Sequence, residues 1–303
     1  MKDFYIDKYH PSSKGPFIFA HRLKEDLERI GLKFNPDSQN RLSIITGNYK
    51  EDANNILRLD GLYLDSGNSR GKSKKLNKKI FRCYKKFDHI VFQSEFSKKC
   101  YEAFTGTKKE NSIIYNGVPE YFFKECEPID KPYGFDKVVI ASSKWRRHKR
   151  IEEAIQAFKS PKLKNIALVI LGGYKNIDEP NIFSLPKIDP SKLPSYLQMA
   201  DAMIHLSWLD WCPNSVVEGL ASRLPVLCSH NGGTRELVRN DGVIINLEED
   251  YEIGTEVTLY RPPKVDINII IDGILELIEM PKINTREDLK ISNTSLLYSK
   301  LFK

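Results

Sequence analysis

Short apolar runs alternate with amphipathic stretches along the whole chain. "PFIFAHRLKEDLERIGLK" (16–33) places Phe19, Leu23, Leu27 and Ile30 at helical spacing behind the small polar loop "PSSKG", and predicts a helix. "LSIITG" (42–47) has the length and continuity of a buried strand, and "NILRLDGLYLD" is a second strand-like run ending in a turn. "DHIVFQSEFSKKCYEAF" predicts a strand and then a helix, and "NSIIYNGVPEYFF" a strand that stops at Asn116-Gly117. A second series starts at the strand "KVVIASS" (137–143), followed by the helix "RIEEAIQAFK" and the strand "IALVILGG" (166–173). "DPSKLPSYLQMAD" predicts a helix with an Asp-Pro-Ser start, and "AMIHLS" a strand. Then come the helix "NSVVEGLASR", the strand "PVLCSH", a helix start at "GGTRELVRN" and the strand "GVIIN". Strand–helix alternation of this kind predicts parallel, doubly wound α/β sheets. It occurs twice, with a linker near 120–136, and the closing segment "REDLKISNTSLLYSKLFK" predicts a helix that crosses back to the first domain.

Length agrees with two domains, since 303 residues exceed one ordinary core and suit two of about 150 each. Hydrophobic content of 41% and charged content of 29% make the chain globular and exclude disorder. The N-terminus "MKDFYIDKYHPSSKG" lacks an apolar signal core, and no run of about 18 apolar residues exists to span a bilayer. Five scattered cysteines (Cys83, Cys100, Cys126, Cys212, Cys228) form no CxxC pair. They support neither a disulfide framework nor a zinc site, and imply reduced thiols in a cytoplasmic protein. A net charge of +7 calls for an anionic partner: a phosphorylated ligand, an anionic membrane surface or nucleic acid.

Open parallel sheets bind ligands at the carboxyl ends of their strands. In the second series those positions are Ser142-Ser143-Lys144, Gly172-Gly173, Ser207-Trp208 and Asn231-Gly232-Gly233. Glycines there let a phosphate approach the backbone, although the Gly232-Gly233 pair also suits a plain strand-to-helix turn. Five of the seven residues from Lys144 to Arg150 are Lys or Arg, so Lys144 and Lys149 could clamp a diphosphate or belong to a solvated loop. Glu218 is expected at the start of a helix whose following residues, "GLASRLPVL", read as core; Asp210 lies eight residues earlier in the loop "SWLDWCPN". Glu218 either stabilises a helix N-terminus or accepts paired hydrogen bonds from the vicinal hydroxyls of a ribose.

The stretches "FQSEFSKK", "IIYNGV", "ASSKWRRHKRIEEAIQAF", "LVILGG" and "LPSYLQMADAMIHLSWLDWCPNSVVEGLASRLPVLCSHNGGTREL" together resemble the retaining family 4 glycosyltransferases, which have the GT-B fold of two Rossmann-like domains facing a central cleft. The resemblance is strong over roughly 90–245 and looser before it, where "SSKGPFIFAHRLKEDLERIG" resembles the family's first glycine loop, with Gly15 in the loop. It implies an acceptor-side domain of 1–122 plus 286–303 and a donor domain of 123–285. It also implies Lys144 and Lys149 on the donor diphosphate, Asp210 near the donor sugar, Glu218 on the ribose, Gly232-Gly233-Thr234 as the diphosphate cradle, and Glu236 as the family's next acid. Further donor contacts are implied at Gly15, Ser143, Gly172, Asn214 and Ser215, with the base towards "FSLPKI" (183–188) at Pro186 and Ile188.

Lys144 stands where the family has arginine, and Asp210 where it has a glutamate one methylene longer. His21, inside a helix, and His89, at a strand start, have structural readings rather than the family's acceptor-side histidine role. The implied reaction moves a sugar from a UDP-sugar or GDP-sugar to a glycan or lipid-linked acceptor, with retention and with domain closure excluding water. No cofactor is implied. The chain also lacks an Asp-x-Asp metal motif, so cations and amides would carry the leaving-group charge.

Residues 66–87, "SGNSRGKSKKLNKKIFRCYKKF", carry nine basic residues and no acid. They read as a solvated face or as a peripheral contact with anionic lipid at the cytoplasmic membrane face. Few aromatics interleave with them, so base stacking is poorly supported and no nucleic acid is expected. A nucleic-acid- or membrane-binding protein and a GT-B sugar-nucleotide epimerase or phosphorylase stand as rival readings. A dehydrogenase does not, because no GxGxxG follows the first strand.

Overall fold

The structure, a computed structural model, describes residues 2–7, 16–64, 70–175 and 177–303. The chain divides into two compact units. The first comprises residues 1–119, 252–258 and 287–303, and the second residues 120–251 and 259–286. Residues 252–258, inside the stretch expected in the second domain, thus group with the first unit, and the chain passes between units four times.

The first unit is built on a parallel sheet of β1 (Asp3–Asp7), β2 (Lys33–Phe34), β3 (Asn40–Ile44), β4 (Asn54–Leu59), β5 (His89–Phe92) and β6 (Asn111–Ile113), in the order β2-β1-β3-β4-β5-β6. Helices α1 (Pro16–Arg29), α2 (Arg70–Lys86) and α3 (Glu95–Thr105) follow β1, β4 and β5. Pro16 opens α1, where its fixed φ suits the first turn. Phe19, Leu23 and Leu27 are buried one turn apart, as their spacing requires. The Ser94 hydroxyl caps α3 by accepting from the Ser97 N–H at 3.1 Å. His21 lies 3.2 Å from Glu25 on the exposed face of α1, and His89 is 2.9 Å from the Ser112 hydroxyl.

The second unit repeats the design with β7 (Lys137–Ser142), β8 (Ile166–Leu171), β9 (Ile182–Ser184), β10 (Ala202–His205), β11 (Val226–Ser229) and β12 (Gly242–Ile245), in the order β12-β11-β10-β7-β8-β9. Its helices are α4 (Ile151–Phe158), α5 (Leu193–Met199), α6 (Asn214–Ala221), α7 (Thr234–Val238) and α8 (Ile267–Ile278). The order doubles back on itself as it does in dinucleotide-binding sheets, with the first strand of the unit near the middle. Every residue of β8 is buried, as expected of a parallel strand covered on both faces. Strand β8 and helices α4 and α8 share one core, which gathers Leu168, Phe158, Ile270 and Ile274.

Several elements depart from the sequence expectation. Helix α5 starts at Leu193, not at Asp189, because the Asp189 carboxylate closes a local turn by accepting from the Ser191 N–H at 2.8 Å. Strands β1, β2 and β9 and helix α8 lie outside the expected series. The run "INIIIDGILELI" of α8 is mostly apolar, with Asn268, Asp272 and Glu276 forming a narrow exposed stripe, and Asp266 caps it through the Asn268 N–H at 2.9 Å. The last helix, α9 (Ile291–Leu301), packs on α1 within the first unit, with Tyr298 6.0 Å from Phe19 and Phe302 stacked on Phe4 at 5.8 Å.

Candidate active site

Strand order locates the site before any side chain is considered. The chain winds one way from β7 to β9 and the other way from β10 to β12, so adjacent strands β7 and β10 form the switch point where a crevice opens. Ser142 pairs with Leu171, Met203 with Ile140 and His205 with Cys228. This register ends the central strands in one row, and the loops after them meet.

The loop after β7 is held by its own side chains. The Trp145 indole N–H donates to the Leu171 carbonyl at 2.9 Å, and the His148 carbonyl accepts from the Trp208 N–H at 2.9 Å. Arg150, in the left-handed region at φ 53, is fully buried and ion-paired to Glu248 at 2.5 Å. Glu248 also accepts from the Ser229 hydroxyl at 3.0 Å and from the Asn231 amide at 2.9 Å. One buried carboxylate therefore joins the exits of β7 and β11.

At the centre, the Lys149 ammonium is ion-paired to Asp210, and the same Asp210 oxygen lies 3.1 Å from His205 Nε2. The other Asp210 oxygen accepts from the Trp211 N–H at 2.9 Å, and its backbone carbonyl from the Gly233 N–H at 2.7 Å. Gly232 has φ 90, and a Cβ there would stand 2.8 Å from the Asp210 carbonyl oxygen, so the turn requires glycine. Burial pushes the Asp210 carboxyl upward, but Lys149 and His205 more than offset it and hold it well below the usual carboxylate range. Burial pushes His205 down, and burial followed by the Lys149 charge pushes His148 down to about 4. Both imidazoles are neutral at pH 7. Because an ionised carboxylate only accepts, the His205 proton facing it is assigned to Nε2.

Among the sequence-derived candidates, direct contacts bring Lys149, Asp210 and Gly233 together. Gly172, at φ 106, lies so close to the loop that a Cβ there would collide with the Ser143 carbonyl. Gly173 donates to the Leu185 carbonyl at 3.1 Å, which sets segment 186–188 beside it, with Pro186 exposed and Ile188 half-buried. Lys144 is exposed on the β7 exit. Thr234 is buried at the start of α7, and Glu236 lies in that helix's first turn.

Glu218 corrects one expectation. It does not begin its helix: α6 starts at Asn214 behind the extended Pro213, so Asn214 and Ser215 occupy the first turn and Glu218 the second, half-buried. The helix ends at Ala221, and Arg223, at φ 65, turns the chain into β11. Gly15 lies outside the described residues. Sequence reasoning missed His205, His148 and the Arg150–Glu248 pair. A histidine closing the apolar run "AMIH" was the available signal for the first; nothing local marks Glu248 as a partner 98 residues from Arg150.

The sequence profile described as Glycosyl transferases group 1 matches residues 127–290, more than half the chain and nearly all of the second unit. The chain belongs to the group 1 glycosyltransferases. N-acetyl-alpha-D-glucosaminyl L-malate synthase of Bacillus anthracis is 26% identical over 149 residues, which cover 44% of this glycosyltransferase and 39% of that protein. This chain thus matches well under two thirds of that relative's length. Among solved structures, sucrose-phosphate synthase from Thermosynechococcus elongatus superposes with a TM-score of 0.74 at 12% identity, covering 99% of this chain and 98% of that one. HepE of Anabaena, solved with UDP and glucose, gives 0.57 at 13% identity over 100% and 96%. These similarities show the two-domain α/β fold of GT-B type. Among the described residues, no group of three or more His, Cys, Asp or Glu is arranged to hold a metal ion, and no helix is long and apolar enough to cross a membrane.

Proposed function

We propose that this group 1 glycosyltransferase transfers a sugar from a UDP-sugar to a glycan or lipid-linked acceptor, using the second unit as donor site and the first as acceptor side. The observation that carries the reading is the Lys149–Asp210–His205 cluster bonded to the Gly232-Gly233 turn at the switch point of the sheet. As the glycosidic bond breaks, negative charge builds on the departing diphosphate. Lys149, the exposed Lys144 and the amides of the 232–234 turn not already bonded to Asp210 are groups on these loops able to meet it. Asp210 holds Lys149 in place until a phosphate competes for it. Glu218 offers two carboxylate oxygens to the vicinal ribose hydroxyls, and segment 186–188 beside Gly173 receives the base. The chemistry proceeds with retention and without a metal ion, the cations and amides carrying the charge. HepE, which shares the fold, was solved with UDP, which supports uracil over guanine.

Thermal melting against UDP, GDP, ADP, CMP and dTDP, with and without EDTA, tests the reading. A ligand present at about 100 times its Kd stabilises the fold by about 2.7 kcal/mol. A shift with UDP that EDTA leaves unchanged is expected; no shift with any nucleotide rejects the site. Glu218→Ala keeps the melting temperature of the free protein and loses most of the UDP shift. Full activity in that variant would remove Glu218 from the site.

The eight cations Lys72, Lys74, Lys75, Lys78, Lys79, Arg82, Lys85 and Lys86 are all exposed on α2, while Ser73, Ile80, Cys83 and Tyr84 on its other face are buried. This arrangement supports contact of the first unit with an anionic membrane surface.

A further inference from the structure

Helix α2 also borders a hollow within the first unit that the donor reading leaves unused. The hollow has a volume of about 320 Å³, at the low end of the range of about 300–1,000 Å³ that small-molecule sites occupy. Its floor is apolar, formed by Leu64 after β4, Phe81 on α2 and Phe104 on α3. Along one rim run Lys74, Lys78, Arg82 and Lys85, three to four residues apart on one helical stripe. Glu256, from the segment 252–258, is the single acid among the lining residues and pairs with Lys74 at 3.4 Å.

The walls are fixed rather than incidental. Asn77 grips Tyr63 from both sides, accepting from its N–H at 2.9 Å and donating to its carbonyl at 2.9 Å. Tyr101 donates to the Gly61 carbonyl at 2.9 Å and stands edge-on to Phe81 at 6.3 Å. Gly254 brings the segment 252–258 against Ala103, where a Cβ would lie 3.4 Å away. An apolar trough of this kind needs an apolar occupant. A rim of four cations against one carboxylate favours an anion on the same molecule. The exposed Tyr63 also lines the hollow.

We infer that this hollow binds one chain of a phosphate-bearing lipid, with methylenes on Leu64, Phe81 and Phe104 and the phosphate against Lys78, Arg82 and Lys85. The inference deepens the membrane-contact reading into a site of defined stoichiometry, and it is independent of the donor site. Lys74, already paired to Glu256, contributes less than its neighbours.

Calorimetric titration of the whole protein with butyl, octyl and dodecyl phosphate, below their micelle concentrations, tests it. One molecule per chain is expected, with affinity rising at least tenfold from butyl to dodecyl, since each methylene removed from water contributes up to about fourfold. Lys78→Glu with Arg82→Glu, both at exposed positions, weakens dodecyl phosphate at least tenfold. Phe104→Gln weakens dodecyl phosphate while leaving butyl phosphate unchanged. In each variant an unchanged UDP-induced melting shift reports an intact fold and donor site. Three results overturn the inference. Inorganic phosphate binding as tightly as dodecyl phosphate marks a plain cationic patch. Dodecyl maltoside binding equally marks a plain apolar hollow. Binding to vesicles containing phosphatidylserine without binding of the monomeric phosphate leaves surface contact alone. Failure of the UDP shift with dodecyl phosphate still bound sinks the donor reading and not this one.

Discussion

Asp210 touches an ammonium on one loop, an imidazole on the strand below it and a backbone amide of the next turn. Removing any one partner therefore changes the others. Lys149→Met leaves a largely buried carboxylate facing only neutral donors, which costs about 1–3 kcal/mol of stability in urea unfolding and abolishes the UDP shift. Retention of the shift would move the diphosphate away from Lys149.

The same cluster sets an acid limit. His148 titrates near 6.5 when unfolded and is pushed down to about 4 when folded, so the unfolded chain takes up its proton first. Its contribution is complete above pH 6.5 and is lost as pH falls from 6.5 towards 4, by about 3 kcal/mol in total. His205, lowered by the same burial, adds in the same direction, and Asp210 adds a further loss only below its unfolded value of 3.8. Urea midpoints at pH 7.5, 6, 5 and 4.5 check this, with the decline between 6 and 4.5 flattened in His148→Gln. The sequence made Lys149 and Asp210 visible because their types and order matched a known pattern. His148 and His205 were not visible, because a histidine's burial depends on strands distant in sequence.

At the scale of elements, most strands and helices were legible because their apolar residues are continuous or periodic, as in β8 and α1. Strand β1 is only five residues with two acids, and the polar stripe of α8 is only three residues among many isoleucines and leucines, so neither announces itself. The Arg150–Glu248 staple was hidden for a different reason: Arg150 looked like one more cation of a basic loop, and burial alone distinguishes it. The staple holds the corner between β7 and α4. Arg150→Met leaves Glu248 buried without its cation and costs about 3–5 kcal/mol. The double variant Arg150→Met with Glu248→Gln recovers part of that loss. Additive losses in a double-mutant cycle would show that the pair is not coupled.

Charge is distributed unevenly over the molecule. The nine cations of α2 exceed the net charge of +7, so the rest of the chain taken together is slightly acidic. Long-range packing follows the same logic of one segment serving one unit. Tyr298 and Phe302 are buried in the core of the first unit. A chain ending at Arg286 exposes Phe4, Phe19 and their neighbours, so protease digestion is expected to degrade residues 2–119 and to spare the second unit, which keeps its UDP shift. Equal loss of both units would contradict the division into separate cores.

The four passages of the chain between units also constrain how such enzymes recombine. A crossover gene joined once, near residue 119, would combine one parent's first sheet with another parent's segment 252–258 and last helix. The Gly254–Ala103 approach, the Lys74–Glu256 pair and the contact of Tyr298 with Phe19 would then each join residues from different ancestors. A working chimera must transplant three stretches together. The two units, although they have separate cores, are therefore inherited less independently than two cores would suggest.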